Sequence, residues 1–346
     1  MSAISIGEDL IHYEVLGRGR PVILLHSWVG SWRYWIPTMQ QLKINYKVYA
    51  IDLYGYGDTV KDPAKYSLEH QIRLLEDFVN RMGMPKLALV GHGLGAMVAV
   101  EYARRHVDKV PRMLISGAPL YDPGDLDHRT TALRDIVKNP PRSTPPTQPE
   151  FPDATVMSKP SAMRAALAEA YAHRGMQSSL PSSKPVETKP DPVPVSSSNG
   201  ANNLLHKRLI EEKRVNPQKL LELCFKSTEQ EYKKLQPDIE KADARAIPAS
   251  MTVYDAGKML DTIRLLPMPV VAVHGSNDEV IEAPGDNVWN YLTHDKGDSL
   301  QPVLLDGVRH FPMLEHDRFP RLLIDFLDAP DVSKLEIKER WKRRSH

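Results

Sequence analysis

The sequence predicts an α/β protein built on a doubly wound, mostly parallel sheet. Three observations carry that expectation. Short, continuous apolar runs bounded by Gly, Pro or His alternate with segments of helical periodicity, the pattern of a parallel sheet covered on both faces. The alternation breaks off between about residues 119 and 260 and then resumes, so two separated stretches build one sheet. A chain of 346 residues that is 41% hydrophobic has enough apolar material for one large core and an excursion from it.

In chain order, 22–25, 48–51, 87–90 and 113–115 read as the first buried strands. The clearest helix spans 67–82, with Ser67 as N-cap, Glu69 and His70 in its first turn, and Ile72, Leu75, Phe78 and Val79 at helical spacing. A second helix covers 94–106. After the break come a strand at 270–273, a helix around 287–293, a strand at 302–305 and a last helix around 321–327. The predicted division is a core of 1–119 and 261–330, an insertion of 120–260, and a basic C-terminal tail, 331–346, read as solvated with Trp341 against the body.

Within the insertion, 138–200 carries Pro, Ser and charge without apolar anchors, the composition of a disordered segment. An Ala-rich piece at 161–174 reads as a transient helix, since isolated helices of that length are marginal in water. Residues 204–215 and 217–235 read as helices, the second with Asn216 as N-cap and Pro217 at its first position. A helical block inserted after a sheet strand is the pattern of a lid over a pocket.

The 45 basic and 44 acidic residues leave a formal charge of +1, so no global field calls for nucleic acid or an anionic membrane. The expected partner is a small molecule, with no cofactor and no metal, and the oligomeric state is open. One cysteine, Cys224, forms no internal disulfide, the first ten residues lack the basic and apolar regions of a secretion signal, and no apolar run approaches the roughly 20 residues of a membrane span. The expectation is a soluble cytoplasmic protein.

The most informative run is Lys-Leu-Ala-Leu-Val-Gly-His-Gly-Leu-Gly-Ala at 86–96. It has the layout of a nucleophile elbow, G-x-S-x-G, whose serine sits on a tight strand-to-helix turn. Gly93 stands at the serine's position. With no side chain there, a covalent intermediate at position 93 is excluded. The run also satisfies the dinucleotide fingerprint G-x-G-x-x-A. That site needs the first strand of a βαβ unit and an acidic residue about 20 positions on, at the end of the next strand. The next strand here ends Ile115-Ser116-Gly117-Ala118-Pro119, without a carboxylate, and at least two strands come earlier, so nicotinamide binding is not expected.

The order of elements and motifs resembles the α/β-hydrolase superfamily from about residue 8 to residue 330, the insertion apart. The family's His-Gly pair after an early strand appears as His26-Ser27, followed by Trp28, Gly30 and Trp35, and its next turn as Asp52-Leu-Tyr-Gly55-Tyr-Gly57-Asp58. The acid lies in His274-Gly275-Ser-Asn-Asp278, and the histidine in Gly307-Val-Arg-His310-Phe311-Pro312. The resemblance implies an oxyanion hole from the backbone N–H groups of Trp28 and Leu94, and an Asp278 that orients His310. The second ring nitrogen of His310 then faces Gly93, with no hydroxyl to activate.

Three accounts of Gly93 remain open at this point. Glycine relieves an elbow strain of about 1–3 kcal/mol once serine is not needed, it opens space for a ligand or water beside His310, or it is an engineered change. Ser27 and Ser116 lie on the catalytic edge, but neither sits on an elbow, and each hydroxyl is expected to bond nearby backbone. Candidate ligand contacts are Ser27, Trp28, His92 and Phe311, with His92 expected to pack away from the attack site. Trp32, Tyr34, Met251, Tyr254 and Met313 suggest a mostly apolar pocket, and Trp35 belongs in the core.

Two functional readings follow. In the first, a pseudoenzyme of hydrolase descent binds a small apolar carbonyl- or ester-like ligand without forming an acyl-enzyme. In the second, a hydrolase, lyase or cofactor-free oxygenase uses the His310/Asp278 dyad as general base. A third reading, an interaction module acting through 138–200, has no recognisable binding motif behind it.

Overall fold

Eight strands form one sheet in the order β1-β2-β4-β3-β5-β6-β7-β8. The computed structural model describes residues 2–129, 203–213 and 215–330. The strands are β1 (Ser2–Ile6), β2 (Asp9–Gly17), β3 (Arg20–Leu25), β4 (Tyr46–Ile51), β5 (Ala88–His92), β6 (Met113–Ser116), β7 (Val270–Gly275) and β8 (Leu300–Leu305). β1 and β2 pair antiparallel, as do β2 and β4, and every other neighbour is parallel. The N-terminal hairpin lies before the strand-helix alternation read from residue 21. Its first strand alternates half-buried with exposed positions, so it offers no continuous apolar run to a sequence search.

The helices before the sequence break are α1 (Ile36–Leu42), α2 (Leu68–Arg81) and α3 (Leu94–Arg105). Ser67 caps α2 as expected, its Oγ accepting from the His70 N–H at 3.3 Å. Between β6 and β7 lie a π-helix (His206–Glu211), α4 (Pro217–Cys224), α5 (Gln230–Lys241), α6 (Ala246–Met251) and α7 (Ala256–Leu265). The single helix expected over 217–235 is therefore two. Asn216 Oδ1 accepts from the Lys219 N–H at 2.8 Å at the start, but Phe225 turns extended at φ −145°, ψ 148° and ends the first piece. The helix expected over 204–215 is π-helical in its described part. α8 (Asp286–Lys296), α9 (Pro312–Glu315) and α10 (Phe319–Asp328) complete the set. The stretch 138–200, the Ala-rich piece within it and the tail 331–346 lie outside the described residues. No helix among the described residues is long and apolar enough to cross a membrane.

Strands β5, β6 and β7 are buried along their whole length, as strands covered on both faces must be. The winding direction reverses between β3 and β5: from β3 the chain moves outward to β4, then returns to the other side of β3. The carboxyl ends of β3 and β5 therefore flank the topological switch point, where open α/β sheets place their ligand crevice.

Candidate active site

β5 ends at His92 and α3 begins at Leu94, so Gly93 alone makes the turn between them. Its φ of 53° and ψ of −111° suit glycine and strain any residue with a Cβ. The Gly93 N–H donates to Ser116 O at 3.0 Å, fixing the turn against β6. On the other side, Leu25 of β3 pairs with Gly91 of β5 in parallel register. Ser27 and Gly93, each two residues further on, arrive side by side. A Cβ on residue 93 would lie 2.1 Å from Ser27 Oγ and 2.9 Å from Ser27 Cβ, with the Trp28 ring at 3.2 Å. The Ser27 side chain thus fills the volume that a side chain at 93 would need.

The acid and the histidine reach this point from β7 and β8. Asp278 Oδ1 accepts from the N–H groups of Val280 and Ile281 at 2.8 and 2.9 Å, which holds the carboxylate in its loop. Its Oδ2 accepts from His310 Nδ1 at 2.9 Å. With Nδ1 as donor, Nε2 of the neutral ring is an acceptor. It receives the Ser27 hydroxyl at 3.0 Å. Two sequence expectations are corrected here. His310 Nε2 does not face an unfilled elbow, and the Ser27 hydroxyl bonds the imidazole rather than nearby backbone. The register that aligns β3 with β5 is the reason, because it delivers the hydroxyl from the neighbouring strand.

The Ser27 backbone is held by a neutral histidine at its carbonyl and, at its N–H, by a tyrosine that a second neutral histidine orients. His26 Nε2 accepts from the Leu53 N–H at 2.9 Å, so its Nδ1 is the donor to Ser27 O at 2.7 Å. The Ser27 N–H donates to the Tyr34 hydroxyl at 2.8 Å. That hydroxyl donates in turn to His92 Nδ1 at 2.9 Å, because His92 Nε2 carries the proton given to His310 O at 2.8 Å. One chain of hydrogen bonds therefore ties the backbone of Ser27 to the backbone of His310. Burial pushes His26 below the ordinary imidazole range, and burial together with the nearby His310 ring pushes His92 well below it. Gly117, at φ 51° after β6, leaves room for the His310 ring, since a Cβ there would stand 3.2 Å from Cε1.

Trp28 is fully buried, and its Nε1 donates to Ser250 Oγ of α6 at 3.0 Å. Phe311 is also buried, edge-on to Tyr34, His92 and His310, so it supports the site from within the aromatic cluster. Ser116 is buried at the end of β6, and its Oγ has no hydrogen-bond partner among the described residues. Leu94 opens α3, where backbone N–H groups have no acceptor four residues back. Trp35 has no exposed surface and lies in the core beside Phe319. Met251, Tyr254 and Met313 are buried as well. The parts that sequence reading missed are the Ser27–His310 contact, the Tyr34 relay, the space left by Gly117 and the Ser250 tie.

Among the described residues, His12, Asp52 and Asp58 form the one grouping with metal-ligand spacing. His12 Nδ1, both Asp52 oxygens and Asp58 Oδ1, which accepts from Lys241 Nζ at 2.6 Å, are already engaged. Asp52 Oδ2 bonds His12 Nδ1 at 2.8 Å and the Asp58 N–H at 3.0 Å, while Oδ1 accepts from the Trp32 N–H at 2.9 Å. The cluster braces the turn after β4. The Asp52 hydrogen bond raises the His12 pKa, as such a brace requires.

A family model for the alpha/beta hydrolase fold matches residues 20–165. A soluble epoxide hydrolase from Corynebacterium sp. (strain C12) is 32% identical over 105 residues, 30% of this chain and 37% of that protein. The bifunctional epoxide hydrolase 2 of Rattus norvegicus is 31% identical over 132 residues, 36% of this chain and 23% of its own length. Each match thus spans well under half of the relative. Among solved structures, an esterase from Exiguobacterium antarcticum superposes with a TM-score of 0.57 at 13% identity, covering 93% of this chain and 96% of its own. The N-acyl homoserine lactonase AidH complexed with N-butanoyl homoserine gives 0.59 at 16% identity over 97% and 98%. The sequence match over residues 20–165 and the eight-stranded, mostly parallel sheet together show that this chain has the alpha/beta hydrolase fold.

Proposed function

We propose that this protein hydrolyses a small, largely apolar ester or lactone, with His310 as general base and Asp278 as the group that orients it. The observation that carries the reading is the unbroken line from Asp278 Oδ2 through His310 to a hydroxyl 3.0 Å from Nε2, closed off from solvent. A base in hydrogen-bond contact with a hydroxyl is the arrangement that acyl transfer needs. Supporting it are the Leu94 N–H at the start of α3 and the Trp28 N–H as an oxyanion pair. The sequence relatives are named epoxide hydrolases, which sets an epoxide beside the ester and the lactone as a substrate to test. The described helices α4 to α7 of the insertion act as the lid in this reading, touching the core through the Trp28–Ser250 hydrogen bond, while 1–119 and 261–330 form the hydrolase core.

Binding without turnover is the second reading, and Gly93 is the observation that favours it. Both are tested by hydrolysis of short and medium-chain p-nitrophenyl esters, N-hexanoyl homoserine lactone and an aryl epoxide. The unmodified protein, His310→Ala and Asp278→Asn are compared. The expected result is ester or lactone turnover that falls by about 10³-fold or more in both variants. No turnover by the unmodified protein, or turnover that survives His310→Ala, overturns the proposal. Turnover of the epoxide alone replaces the substrate class.

A further inference from the structure

We propose that Ser27 is the nucleophile of this site, so that the covalent step absent from position 93 is supplied from the loop after β3. The inference rests on the hydrolase reading above and goes beyond it by naming the attacking atom. The Ser27 hydroxyl donates to His310 Nε2 at 3.0 Å, and His310 Nδ1 is held by Asp278 at 2.9 Å. Nucleophile, base and orienting acid are therefore contiguous, although the nucleophile and the base lie 283 residues apart in the chain.

Three further features distinguish this hydroxyl from a space-filling one. Its position coincides with the volume next to Gly93: a Cβ there would approach Ser27 Oγ to 2.1 Å. The hydroxyl is thus delivered to the elbow's reaction centre from the adjacent strand. Both backbone groups of Ser27 are pinned, the N–H by Tyr34 and the carbonyl by His26, which fixes the attacking atom before substrate arrives. The exchange also leaves the oxyanion donors unchanged. An elbow serine uses the N–H of the residue after it and one N–H from the loop after the early strand. A nucleophile at 27 uses the same pair with roles reversed, Trp28 now following the nucleophile and Leu94 facing it.

The reaction balances without a co-reactant beyond water. Ser27 Oγ forms a bond to the carbonyl carbon, its proton passes to His310 Nε2, and the carbonyl π pair moves to oxygen. As that pair returns, the bond to the leaving alcohol breaks and the alcohol takes the proton from Nε2. Water then attacks the acyl-Ser27 ester, giving its proton to Nε2, and the second collapse breaks the bond to Ser27 Oγ, which recovers that proton. Ser27 and His310 are fully buried, so the structure covering them must open before substrate enters.

The test is labelling of the full chain by a small alkyl fluorophosphonate, read by intact mass and peptide mapping, beside p-nitrophenyl ester turnover. The expected result is a single adduct on the peptide carrying Ser27, absent from Ser27→Ala and from His310→Ala, with turnover of Ser27→Ala down by about 10³-fold or more. Ser27→Cys, which keeps a nucleophile in place, is expected to accumulate the acyl group of the ester as a mass increment, and this guards against loss by misfolding. An adduct elsewhere, no adduct, or an adduct that persists in Ser27→Ala overturns the assignment. Turnover that survives Ser27→Ala but not His310→Ala sinks the Ser27 proposal and leaves the general-base reading standing. An adduct at Ser27 without turnover of any ester, lactone or epoxide does the reverse.

Discussion

Positions 27 and 93 share one side-chain-sized volume, and the protein fills it from one side. Gly93→Ser on its own sets a Cβ 2.1 Å from Ser27 Oγ and 2.9 Å from Ser27 Cβ, at a φ of 53°. Rotation of the Ser27 side chain moves the oxygen but leaves the two Cβ atoms in collision. The backbone strain costs about 1–3 kcal/mol and the overpacking a similar amount. Pairing Gly93→Ser with Ser27→Gly removes the collision and keeps the strain. A urea-unfolding cycle over the four proteins is therefore expected to give a coupling energy of about 1–3 kcal/mol in favour of the double variant. Purely additive losses would mean that the two side chains do not compete for the same space. The cycle has a chemical counterpart: the double variant presents a serine at the elbow, beside the same base, and is the direct comparison for a nucleophile delivered from β5 rather than β3.

At the scale of elements, the loop after β3 is tied to α6 by the Trp28–Ser250 hydrogen bond, and Ser250 Oγ in turn donates to Ile247 O at 2.8 Å. Ser250→Ala leaves a buried indole N–H without an acceptor, which costs about 1–3 kcal/mol. In an opened arrangement that N–H meets water and the penalty disappears. The substitution is therefore expected to lower Tm and, at the same time, to speed fluorophosphonate labelling severalfold. A lower Tm with an unchanged labelling rate would show that α6 does not control access. How legible these elements were depends on their environment. Strands β3 to β8 announce themselves as apolar runs because at least part of each is buried, whereas β1, at the sheet edge, alternates half-buried with exposed positions and is silent. The break between α4 and α5 is hidden because Phe225 is apolar and buried, which continues the helical spacing, while its backbone is extended. Motif order locates Asp278 and His310, each after its strand. The hydroxyl that meets them depends on the pairing of Leu25 with Gly91, a contact that no local pattern encodes.

For the whole molecule, the same histidines that hold the site make the fold sensitive to acid. Burial depresses His26, His92 and His274, the last to about 4. In the unfolded chain each takes up a proton near pH 6.5, while in the folded chain each stays neutral to lower pH. The unfolded state therefore binds more protons below about pH 6.5, and stability falls as pH falls, by about 1.4 kcal/mol per unit for each histidine within its window. His12 has the opposite shift, raised by Asp52, so its contribution is complete below pH 6.5 and declines only as pH rises through its folded value. It does not offset the acid loss. Asp238, buried on α5 and raised to about 6, does offset one proton. It protonates in the folded state first and so favours folding as pH drops from about 6 toward 4. Urea unfolding at pH 7 and pH 5 is thus expected to show a loss of several kcal/mol on acidification, setting in near pH 6.5 as the unfolded imidazoles take up protons and offset in part by Asp238. A flat profile over that range would mean that the three imidazoles are not held neutral. Because His26 and His92 pin the Ser27 backbone, acid weakens the clamp on the hydroxyl along with the fold, and labelling at Ser27 should decline over the same interval and recover when neutral pH is restored.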